Sequence, residues 1–196
     1  MASDVLERWL EDVVATPGLT GIESVEAARP FLLDDALRAL PIVEANAGPI
    51  VDVGSGGGSP GIPLGATLPD RRVTLLESQR KKCDFLTRYT VELPNVDVVW
   101  GRAEEQPVDT FGVALAKALA KPPVACELCI PLVQVGGVAV LWTGETADAA
   151  AVATVAEKLG AELEDDPSGL LVLRKTAPTP TGFPRRPGMA KKRPLA

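Results

Sequence analysis

The stretch IVDVGSGGGSPGIPL, residues 50–64, constrains the fold of this chain more than any other. The strand-like run IVDV leads into five glycines and two prolines within eleven residues. Each glycine raises the entropy lost on folding. Such a run directly after a buried strand therefore has to serve a conformation or a close approach that side chains forbid. A helix from about Pro60 to Thr67 follows it, with prolines tolerated where first-turn N–H groups lack intrahelical partners.

The rest of the chain alternates around this feature. Helical periodicity covers residues 4–15 and 23–46, the latter broken by Pro30 and Pro41. Strands are predicted at 50–53, 72–77, 96–100, 111–116 and 138–142, with helices at 79–93, 121–133 and 146–160. Two short strands near 161–164 and 170–174, joined by DDPSG, close the pattern as a hairpin. Strands alternating with helices of this length predict an α/β fold. Its seven-stranded, mostly parallel sheet would have helices on both faces and a terminal antiparallel strand. A helical N-terminal extension (1–47), a main domain (48–176) and a proline-rich tail (177–196) are the expected divisions.

At 196 residues the chain suits one domain with a substantial core. Three cysteines, Cys83, Cys126 and Cys129, are too few for a disulfide framework and point to a reducing, cytoplasmic setting. No signal peptide and no apolar run long enough to cross a bilayer is apparent. The C-x-x-C of CELC lies in a helical stretch without histidine or a second such pair, so it is read as packing and no metal is expected. Charge is unevenly placed. All 26 acids and 15 of the 20 cations lie in residues 1–175, a net −11, whereas the last 21 residues carry five cations and no acid. Those cations, Arg185, Arg186, Lys191, Lys192 and Arg193, make the tail either a solubilising end or an arm for RNA phosphates. As such an arm it would leave cofactor binding untouched.

A glycine-rich turn after the first strand of an open α/β sheet sits where ligands bind. Gly54, Gly56 and Gly58 form G-x-G-x-G, preceded by Asp52, but Ser59 stands where a dinucleotide fingerprint has its third glycine. Glu77, 23 residues past Gly54, is placed for ribose hydroxyls, a feature common to nicotinamide and S-adenosylmethionine sites. Hydride transfer usually needs an acid–base partner, yet the chain has no histidine and one tyrosine, Tyr89, on a helix. Adenosylmethionine is the better fit. No Asn-Pro-Pro-aromatic motif or Pro-Cys pair follows strand four, which argues against exocyclic-amine and pyrimidine-carbon methylation.

DVGSGGGSPGIPL, VTLLES with KKCDFL, GRAEE and ELCIPLVQVGG together resemble the bacterial 16S rRNA guanine-N7 methyltransferases, the RsmG (GidB) family. The likeness runs from about Leu19 to Arg174, and PRRPGMAKKRPL is similar to a basic tail in that family. It implies a class I, Rossmann-like methyltransferase fold and S-adenosyl-L-methionine as cofactor. It further implies methylation of guanine N7 in ribosomal RNA or the small ribosomal subunit, by a chain expected to be monomeric. Carried over residue by residue, the cofactor site falls on Gly54, Ser55, Gly56, Ser59, Glu77, Ser78, Ala103 and Glu104. Lys117 stands in place of the family arginine, as a cofactor contact and catalytic candidate; Gly112 replaces an aspartate and Phe31 a histidine. The N-terminal region is shorter than the family pattern. Two other readings stay open: a methyltransferase for another RNA or a small molecule, and a non-catalytic RNA- or ribosome-binding paralogue.

Overall fold

The computed structural model describes residues 2–144 and 148–196. Its elements in chain order begin with helices α1 (Ala2–Ala15), α2 (Val25–Arg29), α3 (Asp35–Leu37) and α4 (Leu40–Ala45). Then follow β1 (Ile50–Val53), α5 (Gly61–Thr67), β2 (Val73–Glu77), α6 (Arg80–Thr90), β3 (Val96–Trp100) and β4 (Phe111–Lys117). The chain closes with α7 (Pro122–Cys129), β5 (Val133–Trp142), α8 (Ala149–Lys158), β6 (Ala161–Glu164), β7 (Leu171–Lys175) and α9 (Met189–Lys192).

The seven strands form one sheet in the order β3-β2-β1-β4-β5-β7-β6. The first five pair in parallel, and β7 inserts antiparallel between β5 and β6. Along the central strands successive apolar residues face opposite sides. Ile50, Val113, Leu115, Val138 and Val140 enter one core with α1, α5 and α6, whereas Val51, Val53, Ala114, Ala139 and Leu141 enter the other with α7 and α8. Burial on both faces is what makes IVDV read as a continuous strand. Cys126 and Cys129 lie in the second core, where burial raises both thiols, Cys126 to about 12.

Several boundaries differ from the sequence reading for local reasons. Pro30 does not break its helix: the chain stays helical through a π turn, Pro30–Asp34, in which the Asp35 N–H donates to the Pro30 carbonyl five residues back. The predicted helix 121–133 stops at Cys129, passes through a 3-10 turn around Pro131 and enters β5 at once. β5 starts five residues earlier than predicted, past a register shift at Phe111/Val113. Gly112 follows from packing here, since a Cβ would overlap the Ala47 carbonyl. Helix α8 is capped by Asp148, which accepts from the Ala151 N–H at 2.9 Å. Residues 146 and 147 of the predicted helix lie outside the described residues.

Candidate active site

Strand order reverses on either side of β1, so a crevice opens at the carboxyl ends of β1 and β4. The glycine loop turns inside it. The Gly54 and Ser55 N–H groups donate to the Leu76 carbonyl at 2.7 and 3.2 Å, tucking the loop against β2. Gly54 (φ +73°), Gly56 (φ +57°) and Gly58 (φ +101°) all take the left-handed backbone that residues with a Cβ rarely adopt. Leu119 fills the place of a Gly54 side chain, whereas only the Gly54 carbonyl, 3.7 Å away, lies near that of Gly56. Gly56 thus presents bare main chain to open space.

Asp52 lies beneath the loop, 1% exposed. Its Oδ2 accepts the Gly61 N–H at 3.1 Å. Its Oδ1 is the one buried side-chain nitrogen or oxygen without a hydrogen-bond partner among the described residues. Burial raises this carboxyl to about 7; the Gly61 N–H and the Lys117 charge oppose the rise, and the nearby Glu77 charge adds to it. The first amides of α5 are therefore committed, Gly61 to Asp52 and Ile62 to the Gly58 carbonyl, and do not form a free anion site.

Glu77 ends β2 and is 5% exposed. Its Oε2 accepts the Gly56 N–H at 3.0 Å and its Oε1 the Gln79 N–H at 2.7 Å. Further lone pairs on the carboxylate remain for a ligand. Two hollows open from the loop and meet at Gly54. One, about 110 Å³, is lined by Leu76, Ser78, Ala103, Glu104 and part of the C-terminal tail. The other, about 220 Å³, lies against the N-terminal helices and is lined by Ser55, Gly56, Ser59 and Lys117 with Trp9 and Leu32. Eight of the nine residues carried over to the site thus line these hollows, and the ninth, Glu77, lies behind the loop and holds it through the Gly56 N–H.

Their polar atoms do different work. The Ser55 hydroxyl donates to the Asp52 carbonyl at 2.9 Å and that of Ser59 to the Leu32 carbonyl at 2.7 Å, so both hold the loop's shape. Lys117 does not end free in the hollow. Its Nζ donates to the Phe31 carbonyl and pairs with Asp35 at 2.6 Å, fastening the π-turn segment over the site. Asp35 also binds Arg38 at 2.6 Å, and its carbonyl accepts the Trp142 Nε1–H at 2.9 Å. Trp9, fully buried on α1, donates Nε1–H to the Gly57 carbonyl at 2.7 Å and braces the loop from the other side. Among the tail cations, Arg185 is withdrawn from solution by two bonds to Glu127, at 2.6 and 2.5 Å. Arg186, Lys191, Lys192 and Arg193 are exposed.

Sequence reasoning gave no role to Trp9, Asp35 or Glu127, and none to Asp52 beyond its position. A tryptophan on an amphipathic helix signals a core residue and nothing more. Asp52 alone carried a usable signal, a charge inside an apolar strand.

Residues 6–164 match the profile of the family described as GidB, rRNA small subunit methyltransferase G. Two relatives are both named ribosomal RNA small subunit methyltransferase G. The one from Rubrobacter xylanophilus is 39% identical, over 89% of this chain and 72% of the relative. The one from Acetivibrio thermocellus is 32% identical, over 98% of this chain and 85% of the relative. Among solved structures, a TehB-like SAM-dependent methyltransferase from Corynebacterium glutamicum superimposes with a TM-score of 0.55 at 18% identity, over 89% of this chain and 98% of that one. At that identity the likeness establishes the fold.

Proposed function

Because the chain belongs to the GidB family of small-subunit ribosomal RNA methyltransferases, we propose that it methylates guanine N7 in that RNA, with S-adenosyl-L-methionine as methyl donor. The observation that supports this best is the pair of hollows joined at Gly54, one lined by Ser78, Ala103 and Glu104 and the other by the N-terminal helices. The residues present fit the cofactor. The orphaned Oδ1 of Asp52 suits a cationic group at the foot of the loop. Gly56 leaves room for a ligand to lie on main chain. Glu77 would take ribose hydroxyls, and Ala103 with Glu104 would border the adenine. The cofactor supplies a methyl group on a positively charged sulfur.

The chain's own residues then have a restricted task. Guanine N7 carries an unprotonated lone pair, so no side chain has to remove a proton and the lack of histidine is no obstacle. Holding the base in line and excluding water supplies the acceleration. Methylation leaves a positive charge on the ring. The Lys117 charge is balanced by Asp35 at 2.6 Å, which lessens its repulsion of a cationic product. Lys117 therefore acts as a positioning residue, holding Phe31–Asp35 over the base-binding hollow. We place this activity in the cytoplasm, with the ribosomal substrate.

The test is transfer of a labelled methyl group to small ribosomal subunits and to naked 16S RNA, followed by nucleoside mass spectrometry. Label in 7-methylguanosine is the expected result. Label on an exocyclic nitrogen or a ring carbon, or no transfer to either substrate by cofactor-bound protein, would refute the reading.

A further inference from the structure

The C-terminal tail folds back on the molecule and reaches the first hollow. After β7, Thr179 donates its N–H and hydroxyl to Asp109 at 3.1 and 2.7 Å. Further on, the Arg185 guanidinium grips Glu127 of α7, a residue only 4% exposed, and also donates to the Arg193 carbonyl at 2.9 Å. That second bond closes residues 185–193 into a compact loop. At its centre Gly188, with φ +82°, turns its N–H to Glu104 Oε1 at 2.9 Å. Ala190 is 3% exposed, and Gly188, Ala190 and Lys191 line the hollow opposite Val53, Leu76 and Ala103. Lys158 holds the end of the tail through the Leu195 carbonyl at 2.9 Å.

We infer that residues 185–193 are a strap that forms one wall of the cofactor site, latched by Arg185 on Glu127, and that RNA phosphates on its exposed cations tighten cofactor binding. The inference rests on the reading of this hollow as the adenosyl end of the site. Two features carry it. The strap closes one side of the hollow and engages one oxygen of Glu104, leaving the other for a ligand N–H. The same segment bears Arg186, Lys192 and Arg193, with Lys191 at the edge of the hollow, all exposed and without an ion-pair partner among the described residues. A polyanion that holds the strap down raises the population of the complete pocket. By linkage, the cofactor then strengthens RNA binding by the same factor.

The test compares the full chain with one ending at Thr181, which keeps Thr179 on Asp109 and Lys175. S-adenosyl-L-homocysteine is titrated into each by calorimetry, with and without a short single-stranded oligoribonucleotide at low salt. The truncated chain should bind the homocysteine derivative about 3–30-fold more weakly, the range for a lost hydrogen bond and its wall. The oligonucleotide should tighten binding several-fold in the full chain and not in the shortened one. The complete chain carrying Arg185→Gln, which opens the latch, should show the same weakening and covers the case of a truncated chain that does not fold. Equal affinities in full and latch-open chains overturn the strap alone. No binding to the full chain overturns the cofactor reading, and the strap with it.

Discussion

Replacing Asp52 by asparagine keeps the outline of the buried side chain and removes its charge. The carboxyl is raised from an ordinary 3.8 to about 7 by burial. An acid raised in this way adds stability below its unfolded pKa, and that contribution is lost as pH climbs through the folded value. Each unit between the two values costs about 1.4 kcal/mol, so by pH 8 the ionised Asp52 costs about 4 kcal/mol relative to its protonated form. Asparagine escapes this cost, but its NH₂ takes the place of the partnerless Oδ1 and gives back about 1–3 kcal/mol. The variant should therefore be more stable than the parent by about 1–3 kcal/mol at pH 8, a rise of roughly 3–10 °C for a chain of this size. At pH 5 Asp52 is already protonated in the folded protein and the remaining cost is about 1–2 kcal/mol, so the gain should vanish. Differential scanning calorimetry of the ligand-free proteins at pH 5, 6, 7 and 8 reads this directly. The same substitution should weaken adenosylmethionine binding at pH 8 by tenfold or more, because the buried anion is gone. A difference in melting temperature that does not change with pH would refute the argument, whatever its sign.

Three further outcomes are expected. Gly56→Val forces a β-branched residue to φ +57° and should cost about 1–2 kcal/mol in urea unfolding, while calorimetry shows cofactor binding abolished by side-chain overlap. Lys117→Ala removes one of the two cations on Asp35 and leaves it Arg38; it should lower methyl transfer at least tenfold with about 1 kcal/mol of stability lost. Lys117→Arg should retain both, and wild-type rates in the alanine variant would remove Lys117 from the site. Replacing Arg186, Lys191, Lys192 and Arg193 together by serine should flatten the salt dependence of RNA binding by roughly 2–4 units of log–log slope, at about 0.7–0.9 per phosphate contact; an unchanged slope would show that these residues touch no phosphate.

Much of the fold was legible because its signals are local. The seven strands announce themselves by apolar runs bounded by turn residues, and β1 by burial on both faces. The glycine loop needs no tertiary information either, since left-handed backbone at Gly54, Gly56 and Gly58 is a property of those residues and their neighbours. Where the reading of elements slipped, a competing local effect decided. Pro30 was absorbed by a π turn, and β5 extended past a glycine bulge that periodicity does not register.

The amino-acid sequence by itself determined the α/β alternation and the glycine turn at the head of β1, whereas Ser78, Ala103, Glu104 and Lys117 were reached through the family resemblance. Periodicity, glycine content and spacing all act within a few residues of one another. Only the tertiary structure decided which polar groups meet. Trp9 braces a carbonyl 48 residues away, Arg185 closes on Glu127 across 58, and Gly188 reaches Glu104 across 84. Lys117 turns from the hollow to Asp35 for the same reason. A long charged side chain takes whatever partner packing brings within about 3 Å, and no pattern along the chain records that distance.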